Sequence, residues 1–177
     1  NAASLIDGPL SLNTLITIAG AGFNAAGPAD VIEGRYATAW GCMAVEVNGV
    51  RAPITSVAAG AIGAQVPTIA DLGSLAVRVI ANPGSSAEIR SDPFPVTLSD
   101  TSPAFFRAMP SPNIIAVFAG TTASAGDPAS PAYKGDILSV YATGLGVTEP
   151  VYQAGEIFPA MTPLRDSIAI EWMGRTM

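Results

Sequence analysis

The sequence predicts an all-β chain arranged as two tandem β-sandwiches, the second of them incomplete, and three observations carry that expectation. Hydrophobic residues make up 49% of the 177 and charged ones 12%, while 18 Gly and 15 Pro supply more turn formers than a helical protein tolerates. Short β-branched runs recur between those turn formers, and no stretch of a dozen residues keeps a helical period. The chain also repeats itself: "ITIAGAGF" at 16–23 aligns with "LSVYATGL" at 138–145, and "VEVNG" at 45–49 with "IEWMG" at 170–174.

The elements of the first copy, residues 1–100, follow in order. "TLITIAG" at 14–20 is a β-branched run closed by glycine. "MAVEVNG" at 43–49 alternates apolar residues with Glu46, the period of a strand with one wet face, and Asn48-Gly49 is a tight-turn pair because both residues tolerate positive φ. "IGAQVP" at 62–67 is the next strand-like run. "LAVRVIA" at 75–81 alternates around Arg78 and is punctuated by "ANPG", and "FPVTL" at 94–98 ends the copy. Ile16 or Leu15, Val45, Val47, Val77 and Val79 are the expected core contributors.

"SDTSPAFF" at 99–106 is the expected junction, a Ser/Asp/Thr/Pro cluster followed by an aromatic pair. The second copy, residues 101–177, offers "NIIAVF", "DILSVYATG" and "IAIEW" as strands, with 121–134 as a long surface loop between the first two. It has no equivalent of the three runs that follow "VEVNG" in the first copy. A half sandwich exposes open strand edges and the apolar faces of Ile137, Val140, Ile170 and Trp172. Either further chain beyond Met177 or strands from another subunit are expected to cover them.

"NAASLIDGPLSLNTLITIAGAGF", "VEVNGVRAPITSV", "IGAQVP", "SPAFF", "DPASPAYKGDILSVYATGLG" and "AGEIFPA", in this order, resemble a tandem immunoglobulin-like (IPT/TIG-like) β-sandwich module. That module is found at the C-terminal ends of large secreted bacterial proteins and was first described from acidobacterial genomes. "YATGLG" with its Asp127–Asp136 context is the most specific part. The chain departs from the pattern at Leu12-Asn13, where the family usually has Pro-Gly, and in the missing end of the second sandwich. The resemblance implies two immunoglobulin-like sandwiches in a secreted, extracellular, non-catalytic structural or adhesive module, a subunit of a surface fibre or filament. The alternative is a carbohydrate-binding accessory module of a secreted enzyme.

The remaining residues bear on chemistry mainly by what they exclude. A formal charge of −6, with the Arg residues scattered and Lys134 the only lysine, leaves no basic patch for nucleic acid. The uncharged stretches 52–70 and 108–126 carry Pro, Gly and polar side chains, so neither is a membrane span. The absence of His removes the His-based nucleophile systems and most catalytic zinc sites, and Ser130 is not at S-x-x-K spacing from Lys134. "GAGFNA" at 20–25 satisfies a dinucleotide-binding pattern, but Gly27-Pro28 interrupts the helix it requires. Asp30, Glu33, Asp127 and Asp136 belong to no calcium-loop motif and read as solvated loop residues. Trp40, Trp172, Tyr36, Tyr133, Tyr141 and Tyr152 neighbour apolar positions, which favours packing over a sugar platform. Cys42 is alone, excluding an intrachain disulfide, and beside Met43 and Ala44 it reads as a small buried hydrophobe. No catalytic, cofactor-binding or metal-binding residue is therefore assigned, and the expected partners are protein, by self-association or neighbouring domains, and polysaccharide.

Overall fold

The computed structural model describes residues 1–3, 8–69, 72–108, 113–158, 160–172 and 175–176, with side chains as far as Glu171. The fold is all-β, with no helix among these residues. In the first hundred residues the strands are β1 (Leu15–Ala19), β2 (Gly27–Pro28), β3 (Val31–Ile32), β4 (Arg35–Tyr36), β5 (Met43–Val47), β6 (Val50–Ala52), β7 (Ile54–Ala58), β8 (Ala61–Gln65), β9 (Gly73–Ala81), β10 (Ile89–Arg90) and β11 (Phe94–Leu98).

Nine of these strands build two antiparallel sheets around one core, and β3 and β4 pair as a separate ribbon. One sheet has the order β1-β8-β7-β2, and the other β10-β9-β5-β6, with β11 also paired to β9. Val45 and Val47 from β5 and Leu75 and Val77 from β9 meet Ile16, Ile54, Val57, Ile62 and Ala64 of the opposite sheet. Glu46, between two buried valines, faces outward and pairs in register with Arg78 on one side and Arg51 on the other. Period-two alternation thus has its usual cause: successive side chains leave a strand on opposite faces. Val79 packs against the core from a partly buried position.

Turn chemistry joins the strands. Val47 pairs with Val50, so Asn48 and Gly49 form a two-residue hairpin loop with φ of 48° and 85°, the geometry that suits the twist of a β-ribbon. The strand expected to run to residue 49 therefore ends at Val47. Pro53 alone separates β6 from β7, and across it the chain changes sheet. β7 then carries a bulge between Ile54 and Ser56, whose extra residue turns both Ile54 and Val57 inward although they are an odd number of positions apart.

Beyond the first hundred residues the ladders are short: β12 (Ala104–Phe105), β13 (Ala116–Phe118), β14 (Leu138–Val140), β15 (Ala142–Thr143), β16 (Glu171–Trp172) and β17 (Arg175–Thr176). They pair as β12-β15, β13-β14 and β16-β17, three separate two-stranded ladders. "DILSVYATG" is split at Tyr141, and only Glu171–Trp172 of "IAIEW" is paired. The 121–134 segment is a largely exposed loop without a strand. All buried hydrophobic side chains among the described residues lie between Ala3 and Leu98.

The two aligned segments take different surroundings. β1 lies against β8 in a four-stranded sheet, whereas β14, its counterpart, has β13 as its ladder partner. The Trp172 side chain and Gly174, the counterparts of Val47 and Gly49, lie outside the described residues.

Candidate functional site

Among the described residues, those that the sequence singled out do not converge on one another. After Gly22 the chain runs without a helix into β2, so "GAGFNA" presents no ring of helix-terminal amides. Asp127 accepts from the Ala129 amide and Asp136 from the Tyr133 amide, so both carboxylates shape their own loop. No three metal-ligating side chains converge among the described residues. Cys42 corrects the expectation of burial: it is exposed, because Gly41 and Cys42 make the two-residue turn between the paired Trp40 and Met43, with φ of 56° and 59°. The aromatics divide as well. Trp40 and Tyr36 pack on the core, but Tyr133 and Tyr141 are exposed, and Tyr152 sits against Phe158 with centroids 4.6 Å apart.

Charge is organised on the outer face of the β5-β9 sheet. Arg90 contacts Glu88 at 2.8 Å and Glu46 at 3.4 Å, and Arg51 approaches Glu46 at 3.9 Å. The Gly84 backbone amide, then Arg90, hold the Glu88 carboxyl below the usual carboxylate range, and the Glu88 hydrogen bond holds Arg90 above its ordinary value. These pairs lie at the surface, with the arginines more exposed than the carboxylates they hold.

What the structure does assemble is a seam and an open edge. Along the seam, residues 142–157 are laced onto the first sheets by hydrogen bonds between side chains and backbone. The Leu15 amide donates to Thr143 Oγ1 at 2.9 Å, the Asn13 side-chain amide donates to the Tyr152 carbonyl at 3.2 Å, and the Gly155 amide donates to Gln65 Oε1 at 2.7 Å. Gln65 also donates to the Asn13 carbonyl at 2.9 Å, so one side chain ties three segments together. Residues 155–157 then extend the β3-β4 ribbon, with Tyr36 donating to Gly155, Ile157 donating to Gly34, and Arg35 paired with Glu156. The expected junction is part of this seam, since Ser99 donates to Leu10 and Ser102 to Gly144.

The open edge belongs to β1, which ends its sheet. Leu15 uses its N–H and C=O on the side away from β8, towards Thr143 and Ala2. Strand alternation places the N–H and C=O of Thr17 and Ala19 on that same side, where they meet no partner among the described residues. Behind the edge a groove of about 880 Å³ opens between the sheets, lined by Leu10, Ile16, Ile18, Val77, Phe94 and Val96 among others. The facing strand offers little competing pairing: Leu10 already occupies the Thr97 carbonyl and the Ser99 amide, and Pro95 has no N–H.

Neither feature was visible in the sequence, since each depends on which strand lies next to which. A second surface was partly anticipated. Twelve of the eighteen exposed large apolar side chains among the described residues lie between Ile115 and Ile170, including Ile137 at 76%, Val140 at 38% and Ile170 at 38% exposure. No helix among the described residues is long and apolar enough to cross a membrane. No family model, curated protein or solved structure matches this chain.

Proposed function

We propose that this chain is a non-catalytic structural or adhesive module of a secreted bacterial protein, built on the IPT/TIG-like immunoglobulin plan and working as a subunit of a surface fibre. The carrying observation is the set of apolar side chains exposed between Ile115 and Ile170, with no buried hydrophobic side chain among the described residues of that region. Burying one such side chain is worth about 1.5–3 kcal/mol. Association itself costs several kcal/mol, so many of them must be covered together, and an extended fibre surface is a setting in which they stay covered. The first hundred residues support the reading in their own way. Their two antiparallel sheets share one core, as the two sheets of an immunoglobulin-like sandwich do.

The test is sedimentation and dye binding on the purified chain. Concentration-dependent association, with a hydrophobic-probe signal that falls as the species grow, is expected. A monomer at all concentrations with no probe binding overturns the reading. The carbohydrate-binding alternative rests on the exposed Tyr133 and Tyr141. Retardation in polysaccharide gels that is lost in Tyr133→Ala and Tyr141→Ala would select it instead.

A further inference from the structure

We infer that the open β1 edge and the groove behind it receive residues 167–170 of a second copy as an added antiparallel strand, so that copies join head to tail. The inference rests on the fibre reading above and names the contact that would build the fibre.

The receiving side has fixed requirements. Thr17 and Ala19 offer a donor and an acceptor each towards the open side, and their own side chains face solvent. Ile16 and Ile18 point the other way, into the groove. An incoming strand must therefore place apolar side chains opposite Ile16 and Ile18 and small or polar ones opposite Thr17 and Ala19, because directly opposed residues project to the same face. It must have a free backbone, and no charge in its central residues, since none of the described groove-lining residues is charged.

Ser167-Ile168-Ala169-Ile170 meets each requirement. Ile168 and Ile170 alternate with Ser167 and Ala169, and they are 49% and 38% exposed. No backbone hydrogen bond is made by 167–170 among the described residues, and pairing begins only at Glu171. Antiparallel docking sets Ile170 opposite Ile16, Ala169 opposite Thr17, Ile168 opposite Ile18 and Ser167 opposite Ala19. Ala169 and Ser167 then exchange both backbone hydrogen bonds with Thr17 and Ala19, and the two isoleucines enter the groove. The Ala2 amide on the Leu15 carbonyl limits the added strand at its far end. Receiver and donor are different surfaces of one chain, so the contact is heterologous, and without ring closure it propagates as a filament.

A peptide spanning residues 165–171, titrated into the isotope-labelled full chain, tests the contact without altering the protein. Binding with shifts at the Thr17 and Ala19 amides is expected. N-methylation of Ala169 removes a hydrogen bond to β1 and is expected to weaken binding about tenfold. N-methylation of Ile168, whose N–H points away from β1, leaves it unchanged. Equal effects of the two methylations, binding that leaves Thr17 and Ala19 unshifted, or no binding at millimolar peptide overturns the inference. If the chain self-associates and the peptide does not compete, the groove is excluded while the fibre reading stands. A monomeric chain that nevertheless binds the peptide at the groove removes the fibre reading alone.

Discussion

Residues 15–19 and 137–141 share a sequence pattern, and the molecule treats them in opposite ways. Ile16 is buried at 5% exposure among the side chains of two sheets, while its counterpart Leu138 stands at 38%. Val45 is fully buried and its counterpart Ile170 is 38% exposed. The local chemistry is close to identical, so the difference comes from partners. β1 has β8, and its Ile16 packs into the core that the two sheets share, whereas β14 is paired in a ladder of two strands. A strand pattern specifies a face to be buried, and only further strands bury it.

The largest effect expected from this comparison is at the aligned apolar pair. Ile16→Ala should destabilise the first region by about 2–5 kcal/mol in urea unfolding, because a core cavity adds to lost transfer energy. Leu138→Ala should cost within about 0.5 kcal/mol for the isolated chain. Equal losses would show that the second region holds a core of its own.

The aligned glycines sharpen the same point. Gly22 and Gly144 both take left-handed φ, 79° and 76°, so alanine at either pays the left-handed backbone penalty of about 1–2 kcal/mol. A Cβ at Gly22 meets nothing within 4 Å, but at Gly144 it falls 2.0 Å from the Ser102 carbonyl oxygen. Gly144→Ala should therefore be clearly the more damaging of the two, by thermal melt, and should loosen the Ser102 to Gly144 hydrogen bond in amide exchange. Indistinguishable melts would mean that the seam at Ser102 yields freely.

Gln65→Ala removes the side chain that joins Asn13 to Gly155. A loss of about 1–3 kcal/mol is expected from the unpaired backbone groups it leaves. Limited proteolysis should then cut near residues 153–157 before the first sheets open. Simultaneous loss of both regions would break the distinction between them.

The smallest effect is at Glu88. Its carboxyl is held below the usual range by the Gly84 amide, so its contribution is present above the ordinary carboxylate pKa and is lost as pH falls through the depressed folded value. Glu88→Gln should abolish that acid-side dependence and speed exchange of the Gly84 amide, with little change in stability at neutral pH. Retained dependence would place the acid sensitivity elsewhere.

Much of the first region was legible because alternation and turn residues act locally. Val45, Val47 and Val77 are buried and Glu46 faces out, as the period of "VEV" and "LAVRV" requires, and Asn48-Gly49 closes its hairpin through its own backbone preferences. β7 escaped that reading because a bulge breaks the period at Thr55, so Ile54 and Val57 share a face only in the folded sheet. Cys42 escaped because its exposure follows from its place in the turn between the paired Trp40 and Met43, which its apolar neighbours in sequence do not signal.

The sequence by itself determined an all-β chain, its strand faces, several of its turns and the repeat that relates its halves, since each follows from short-range sterics and side-chain polarity. Tertiary structure alone decided that one copy closes a core while the other leaves its isoleucines wet, that Gln65 bridges Asn13 and Gly155, and that β1 ends its sheet with Thr17 and Ala19 unpaired among the described residues. Those properties depend on which strands become neighbours, and neighbour choice is set by contacts between residues far apart in the chain, where no local preference reaches.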